Sequence, residues 1–165
     1  MTQTSQNIAQ QVVVQTRPAA GEIQVIADDE RMNFLPSQFG RHYLKFENTL
    51  FALAGKTLQG YKGGYWEFAI THGGTGFAFP KIGSQDELIS MTTIFGHNER
   101  QVPALLAGLI TSALTLSYMV SQPDRYHLSE EACDRMIDHY HGLMAAGHEI
   151  ADNTGYGEEF FSLTD

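Results

Sequence analysis

The chain has 165 residues, 42% hydrophobic and 18% charged, enough apolar material for one domain with its own core and too much for a disordered segment. It contains no apolar run of about 18 residues and no charged-then-apolar leader, which argues against a membrane span and a secretion signal, and its single cysteine, Cys133, leaves no internal disulfide and fits a reducing cytosol. The net charge of −9 is uneven: residues 1–127 hold 10 acidic and 9 basic groups (−1) and residues 128–165 hold 9 and 1 (−8), so no basic face is available for direct nucleic-acid binding and the acidic end could meet a basic protein surface.

Residues 1–20 open with Gln, Thr and Ser and read as a flexible segment, with one domain from 21 to 165. Two strand-like runs, QVVVQT (11–16) and EIQVIA (22–27), flank RPAAG. DDERMNFLPSQFG (28–40) reads as a short helix or turn, with Asn33 as cap, Pro36 at the first helical position and Gly40 as stop. A longer helix is predicted over 42–57, where Tyr43, Phe46, Leu50 and Leu53 share one stripe and Leu44, Phe51 and Leu58 widen it.

The stretch GYKGGYWEF (60–68) leads into alternation, with Trp66, Phe68 and Ile70 on one side. THGGTG then interrupts and FAF resumes before Pro80, which reads as a β-hairpin. ELISMTTIF (87–95) is a third strand and GHNERQ (96–101) a turn. The almost unbroken apolar run 102–120 is a buried central helix. After a linker, Ser129 can cap a last helix to about residue 151, with Glu130 and Glu131 in its first turn. The tail can dock through Phe160 and Phe161. The class is α+β: one compact domain, a small antiparallel sheet made of the hairpin and a third strand, and about four helices.

Motifs of known chemistry are incomplete. HGGTG (72–76) resembles an esterase oxyanion loop, but no G-x-S-x-G elbow accompanies it. Gly55-Lys56-Thr57 lacks the upstream glycine of a phosphate loop. His148-Glu149-x-x-Asp152 is a zinc-protease motif with Asp in place of the second His, and no third ligand is evident. Cys133 as a nucleophile would need a histidine; His141, eight residues on, lies about 12 Å along the helix. Asp134, Asp138 and His141 share one helical face, read chiefly as a solvated polar surface.

The run from Glu30 to Phe68 resembles the signature of the ArdB/KlcA antirestriction family. The resemblance rests on RMNFLP, FGR and the helix with Glu47 leading to YKGGYWEF; THGGTGFAFP continues it, and the apolar helix after Arg100 and IDHYHGL (137–143) echo it. Residues 1–25 and the tail after Asp152 match nothing in the pattern, and the family's S-N-G-G turn reads T-H-G-G here. Arg31, Asn33, Pro36, Gly40, Arg41, Gly63, Gly64 and Trp66 belong to the motif and are read as architecture. The resemblance implies a cytoplasmic α+β protein of mobile genetic elements that protects incoming DNA from type I restriction–modification enzymes. It implies no cofactor, no metal, no catalytic residue and no wholesale mimicry of DNA. The surface expected to meet that complex, directly or indirectly, is Glu131, Asp134, Asp138 and His141. The alternatives are a small metal-dependent hydrolase using His148, Asp152 or Cys133, and a plasmid-maintenance binding module without effect on restriction.

Overall fold

The computed structural model describes residues 22–165, so the expectations for residues 1–20, including the strand at 11–16, lie outside the described residues. In chain order the elements are β1 (Ile23–Val25), α1 (Arg31–Phe39), α2 (Tyr43–Thr57), β2 (Trp66–Thr71), β3 (Gly76–Pro80), β4 (Leu88–Met91), β5 (Arg100–Pro103), α3 (Ala104–Val120), α4 (Glu130–Thr154) and α5 (Gly157–Thr164). The hairpin β2–β3 pairs Trp66 with Pro80 and Ile70 with Gly76, and β1 adds on the far side of β2 to give a three-stranded antiparallel sheet. The α+β class thus holds, with four longer helices and a short fifth.

The third strand of this sheet is β1, whereas β4 pairs with β5 in a separate two-stranded ribbon. Residues 100–101 are therefore strand rather than turn, and Val102 belongs to β5 rather than to the central helix. Polarity hides β5: Arg100 and Gln101 are exposed and only Val102 is fully buried, so no apolar run marks it. Pro103, the last residue of β5, is also the N-cap of α3 and has no N–H to give.

Helix α1 begins at Arg31, not after Asn33, because the chain already winds through a 3₁₀ turn at Asp28–Glu30. Asn33 is consequently a third-position helical residue and makes no cap, and Pro36 lies inside the helix instead of at its start. Proline deletes one helical hydrogen bond; burial of Phe34, Leu35 and Phe39 around it offsets that loss. Gly40, at φ +58°, ends the helix and donates its N–H to Pro36 O.

Phe46, Leu50 and Leu53 of α2 are buried, but Leu44 and Phe51 stay 57% and 37% exposed, so the apolar stripe that packs is narrower than the pattern predicts. On β2 the expected inner residues Phe68 and Ile70 are only half-buried, while Ala69 and Thr71 on the opposite face are fully buried. Both faces are covered: Phe34 of α1 stacks on Phe68 with centroids 5.2 Å apart, and Phe77 and Phe79 enter the main core from the other side.

The free edge of β3 is closed by side chains rather than by another strand. Ala78 N–H donates to Ser112 Oγ (3.1 Å) and Ala78 O accepts from the same hydroxyl (3.2 Å). Gly76 N–H donates to Gln38 Oε1 (2.9 Å), and Gly76 O accepts from His139 Nε2 (2.7 Å). All four outward backbone groups at positions 76 and 78 are thereby satisfied, and Pro80 has no donor to satisfy at the third.

Helix α3 is buried along nearly its whole length, and Thr111 and Thr115 turn their hydroxyls back to Ala107 O and Thr111 O. Ser129 caps α4 by accepting from Ala132 N–H (3.1 Å), and Gly155, at φ +83°, ends it. In α5, Phe160 is fully buried, whereas Phe161, about 100° further round the helix, is 60% exposed.

Candidate functional site

Two residues of the sequence motif, Arg31 and Trp66, meet in one cluster, whereas Gly40 and Arg41 lie elsewhere. Arg31 Nη2 donates to Trp66 O (2.6 Å), and its guanidinium lies over the rings of Tyr65 and Phe68 at 4.4 and 4.6 Å. Trp66 Nε1–H donates to Tyr61 Oη (2.8 Å). Gly63 and Gly64, at φ +91° and +143°, carry the chain from α2 into β2 through backbone that only glycine adopts without strain. Asn33 is exposed on the outer side of α1.

The HGGTG segment is the hairpin turn. Gly74 N–H donates to Thr71 O (2.9 Å), Thr71 N–H to Thr75 O (3.0 Å), and Thr75 N–H to Thr71 Oγ1 (3.1 Å). Of the residues of the hydrolase alternative, His148 and Asp152 lie one turn apart and exposed on α4, and Cys133 is about four turns away from them. Cys133 is half-buried near the start of α4, while His148 packs edge-on against Phe160 near its end. Among the described residues no three His, Cys, Asp or Glu side chains are grouped to hold a metal ion.

Helix α4 presents the predicted acidic surface. Ala132, Met136, Leu143, Gly147, Ile150 and Ala151 face inward, which leaves Glu131, Asp134, Asp138 and His141 exposed on the other side. Glu131 makes a long ion pair with Arg135 (3.9 Å), both ends exposed, and no ion pair among the described residues holds Asp134 or Asp138. Residues 130–154 carry six acidic groups and one arginine, a local balance of −5. His141 packs edge-on to Tyr140 (5.4 Å) at one margin of this face.

A second feature lies where the C-terminal end of α1 meets the first turns of α4. A cleft of about 230 Å³ is lined there by Gly40, Arg41, His42, Arg135, Met136 and His139, among others. Nothing in the sequence joins His42 to His139; they are 97 positions apart and only the packing of α1 on α4 brings them to one cavity. His139 stacks on Phe39 (4.7 Å) while its Nε2–H holds Gly76 O. Burial pushes the His139 imidazole below its ordinary pKa of 6.5, against the opposing pull of the Gly76 carbonyl. His42 is lowered as well, by burial first and then by the positive charges of Lys45, Arg41 and Arg135.

Both shifts have one sign for stability. Where the folded pKa is depressed, the unfolded chain binds the proton first, so stability is lost as pH falls below the ordinary value of 6.5. The urea midpoint is therefore expected to be lower at about pH 5.5 than at about pH 7.5. His139→Gln, which keeps an N–H for Gly76 O but cannot titrate, should shrink that difference; a difference of the same size in the variant would remove His139 as its source.

The chain's relatives fit this architecture. KlcA, an antirestriction protein of Escherichia coli, is 27% identical over 131 residues, covering 77% of this chain and 87% of its own length. YafX of Escherichia coli K12, described as an uncharacterized protein, is 28% identical over 120 residues, covering 72% of this chain and 73% of its own. In fold, the chain matches a solved structure from work on the KlcA and ArdB proteins with a TM-score of 0.68, over 84% of this chain and 94% of that one, at 20% identity. Those proteins are described as having a novel fold and antirestriction activity against type I DNA restriction systems in vivo but not in vitro. Residues 59–153 match the model of the family described as Antirestriction protein, a span that includes the GGYW turn, the hairpin, α3 and the IDHYHGL segment but not RMNFLP or FGR. With the family pattern running through more than half of its length, the chain belongs to the antirestriction protein family, in its ArdB/KlcA branch.

Proposed function

We propose that this protein protects incoming mobile-element DNA by opposing the host's type I restriction–modification enzymes, and that it does so without catalysis, by engaging the multisubunit complex or hindering its movement on DNA. The observation that carries this reading is the family membership across residues 59–153. The proposed contact surface is the outer face of α4, Glu131, Asp134, Asp138 and His141. Its charge is exposed and, at Asp134 and Asp138, not held by an ion pair among the described residues, so it is free to meet the basic channel that a DNA-translocating enzyme needs.

The test is plating efficiency of unmodified phage on cells carrying a type I restriction system, with and without the protein expressed. A cellular assay is chosen because the related KlcA and ArdB proteins act in vivo but not in vitro. A large rise in plating, absent in restriction-deficient cells, is the expected result; no rise with soluble, folded protein would overturn the activity. Asp134→Asn with Asp138→Asn should remove most of the protection at an unchanged melting temperature. Full protection by that double variant would discard the surface while leaving the activity in place. The plasmid-maintenance alternative predicts no change in plating with either protein, and stoichiometric zinc or manganese in the purified protein would favour the hydrolase.

A further inference from the structure

Packing of α3 against α4 leaves an apolar groove open at the surface. Its volume is about 210 Å³, and Leu116, Val120, Met136, Ile137 and Tyr140 supply its apolar lining. Leu116 and Met136 form a buried floor, Val120 and Tyr140 are half-buried, and Ile137 is 38% exposed. Ser117 and His141 stand exposed at its lips. Single exposed apolar residues are ordinary, whereas a concave apolar surface built by two helices is a docking feature. The volume lies below the roughly 300–1,000 Å³ of a small-molecule site, so the groove suits anchoring side chains of a larger partner.

Charge around the groove selects the partner. Glu130, Asp134, Ile137 and His141 follow one another at intervals of three or four residues, so they share the side of α4 that borders the groove. No ion pair among the described residues holds Glu130 or Asp134. The arginine of α4, Arg135, lines the cleft with α1 on the opposite flank. Arg125, in the connection between α3 and α4, donates to Tyr118 Oη and Gln122 Oε1, both at 3.2 Å. The α4 rim is therefore acidic, within a helix whose local balance is −5. Like charge disfavours a second copy of this helix, an anionic lipid surface and nucleic acid, which leaves a protein segment that is basic and apolar at once.

We propose that this groove docks a basic amphipathic helix of a partner protein, whose aliphatic side chains seat between Val120 and Ile137 while its lysines or arginines meet Glu130 and Asp134. Gly147 lies against Leu109 and Met136 shares the groove with Val120, so α3 and α4 run antiparallel. A groove between antiparallel helices follows their axes and receives side chains that a third helix presents every three or four residues. The groove adjoins the α4 face assigned above to the restriction complex, and its role in protection rests on that reading.

The experiment is a titration of the full-length, ¹⁵N-labelled protein followed by NMR at constant ionic strength. The probe is a model peptide of leucine and lysine whose leucines recur at helical spacing, set against a scrambled peptide of the same composition without an apolar face. Saturable shifts centred on the amides of Ser117, Val120, Ile137 and His141, with the scrambled peptide about tenfold weaker or more, are the expected result. Ile137→Ser and Ser117→Lys should each weaken binding about tenfold or more, while Phe95→Ser, at an exposed turn before β5, leaves it unchanged. Ser117 is exposed, so its variant folds and blocks the groove with a like charge to the peptide. Equal binding of the scrambled peptide, or unchanged binding by Ser117→Lys, would overturn the proposal. So would a dimer of the free protein in sedimentation equilibrium that Ile137→Ser dissociates, because a second copy would then be the occupant. The plating assay keeps the two readings apart: peptide binding in the groove without protection removes the antirestriction reading and leaves the groove, and protection without peptide binding does the reverse.

Discussion

Replacing Trp66 with alanine is expected to destabilise the protein by about 3–5 kcal/mol, a fall of roughly 10 °C in melting temperature for a chain of this size. Trp66 is 3% exposed and lies where three elements converge. Its ring meets Phe51 of α2 and Tyr61 of the connecting segment, each at 5.8 Å, and its indole N–H is satisfied by Tyr61 Oη. Truncation therefore removes a large buried aromatic area and opens a cavity between α2 and the hairpin, and it strands the Tyr61 hydroxyl. The Arg31 bond to the Trp66 carbonyl survives, since it uses the backbone. Trp66→Phe separates the two contributions: it keeps most of the ring contact and loses only the indole donor, so its cost should be well below that of alanine. Thermal or urea denaturation of both variants checks this, and a Trp66→Ala melting point equal to wild type would show that the cluster does not hold the fold.

The second large effect is expected at Gly108, where a single added methyl group should destabilise by about 3 kcal/mol. A Cβ at this position would sit 2.2 Å from Phe79 Cα and 2.5 Å from Ala78 O. These are backbone atoms, so no side chain can rotate away. One turn further along α3, Ser112 bonds both backbone groups of Ala78, which ties the helix to the strand at that spacing. Relief would need β3 to move off α3, and the hairpin register and the Gln38 and His139 bonds to Gly76 resist that movement. Gly55→Ala is the contrasting substitution. Gly55 lies within α2 with nothing within 4 Å of an added Cβ, so alanine there should stabilise by about 0.5–1 kcal/mol through helix propensity. Chemical denaturation of the pair reads both signs in one experiment. A harmless Gly108→Ala would mean that α3 and β3 are not locked together.

Much of the architecture is legible along the chain because it depends on local rules. The alternation on either side of the glycine-rich THGGTG turn marks the hairpin, the apolar stripe marks α2, and Ser129 marks the start of α4, since turns, caps and periodicity act within a few residues; the end of α4 lies at Thr154, past the expected residue 151. The same local rules misplace Asn33 and Pro36, because winding inherited from the Asp28–Glu30 turn outweighs the cost of a proline whose flanking residues are buried. They also miss β5, which is held by pairing with β4 and carries little apolar signal of its own.

The candidate surfaces divide in the same way. The acidic face of α4 follows from helical spacing and charge alone, because residues three and four apart on a helix must share a side. Family membership is equally a property of the linear chain, carried by motifs such as GGYW that need no coordinates to be recognised. The closing of the β3 edge by Ser112, Gln38 and His139, and the meeting of Arg41 and His42 with Arg135 and His139, join residues from 34 to 98 positions apart. Such contacts are chosen by how whole helices pack, where burial of the common core sets the distances and the polar groups take whatever partners that packing offers, so no spacing in the chain encodes them.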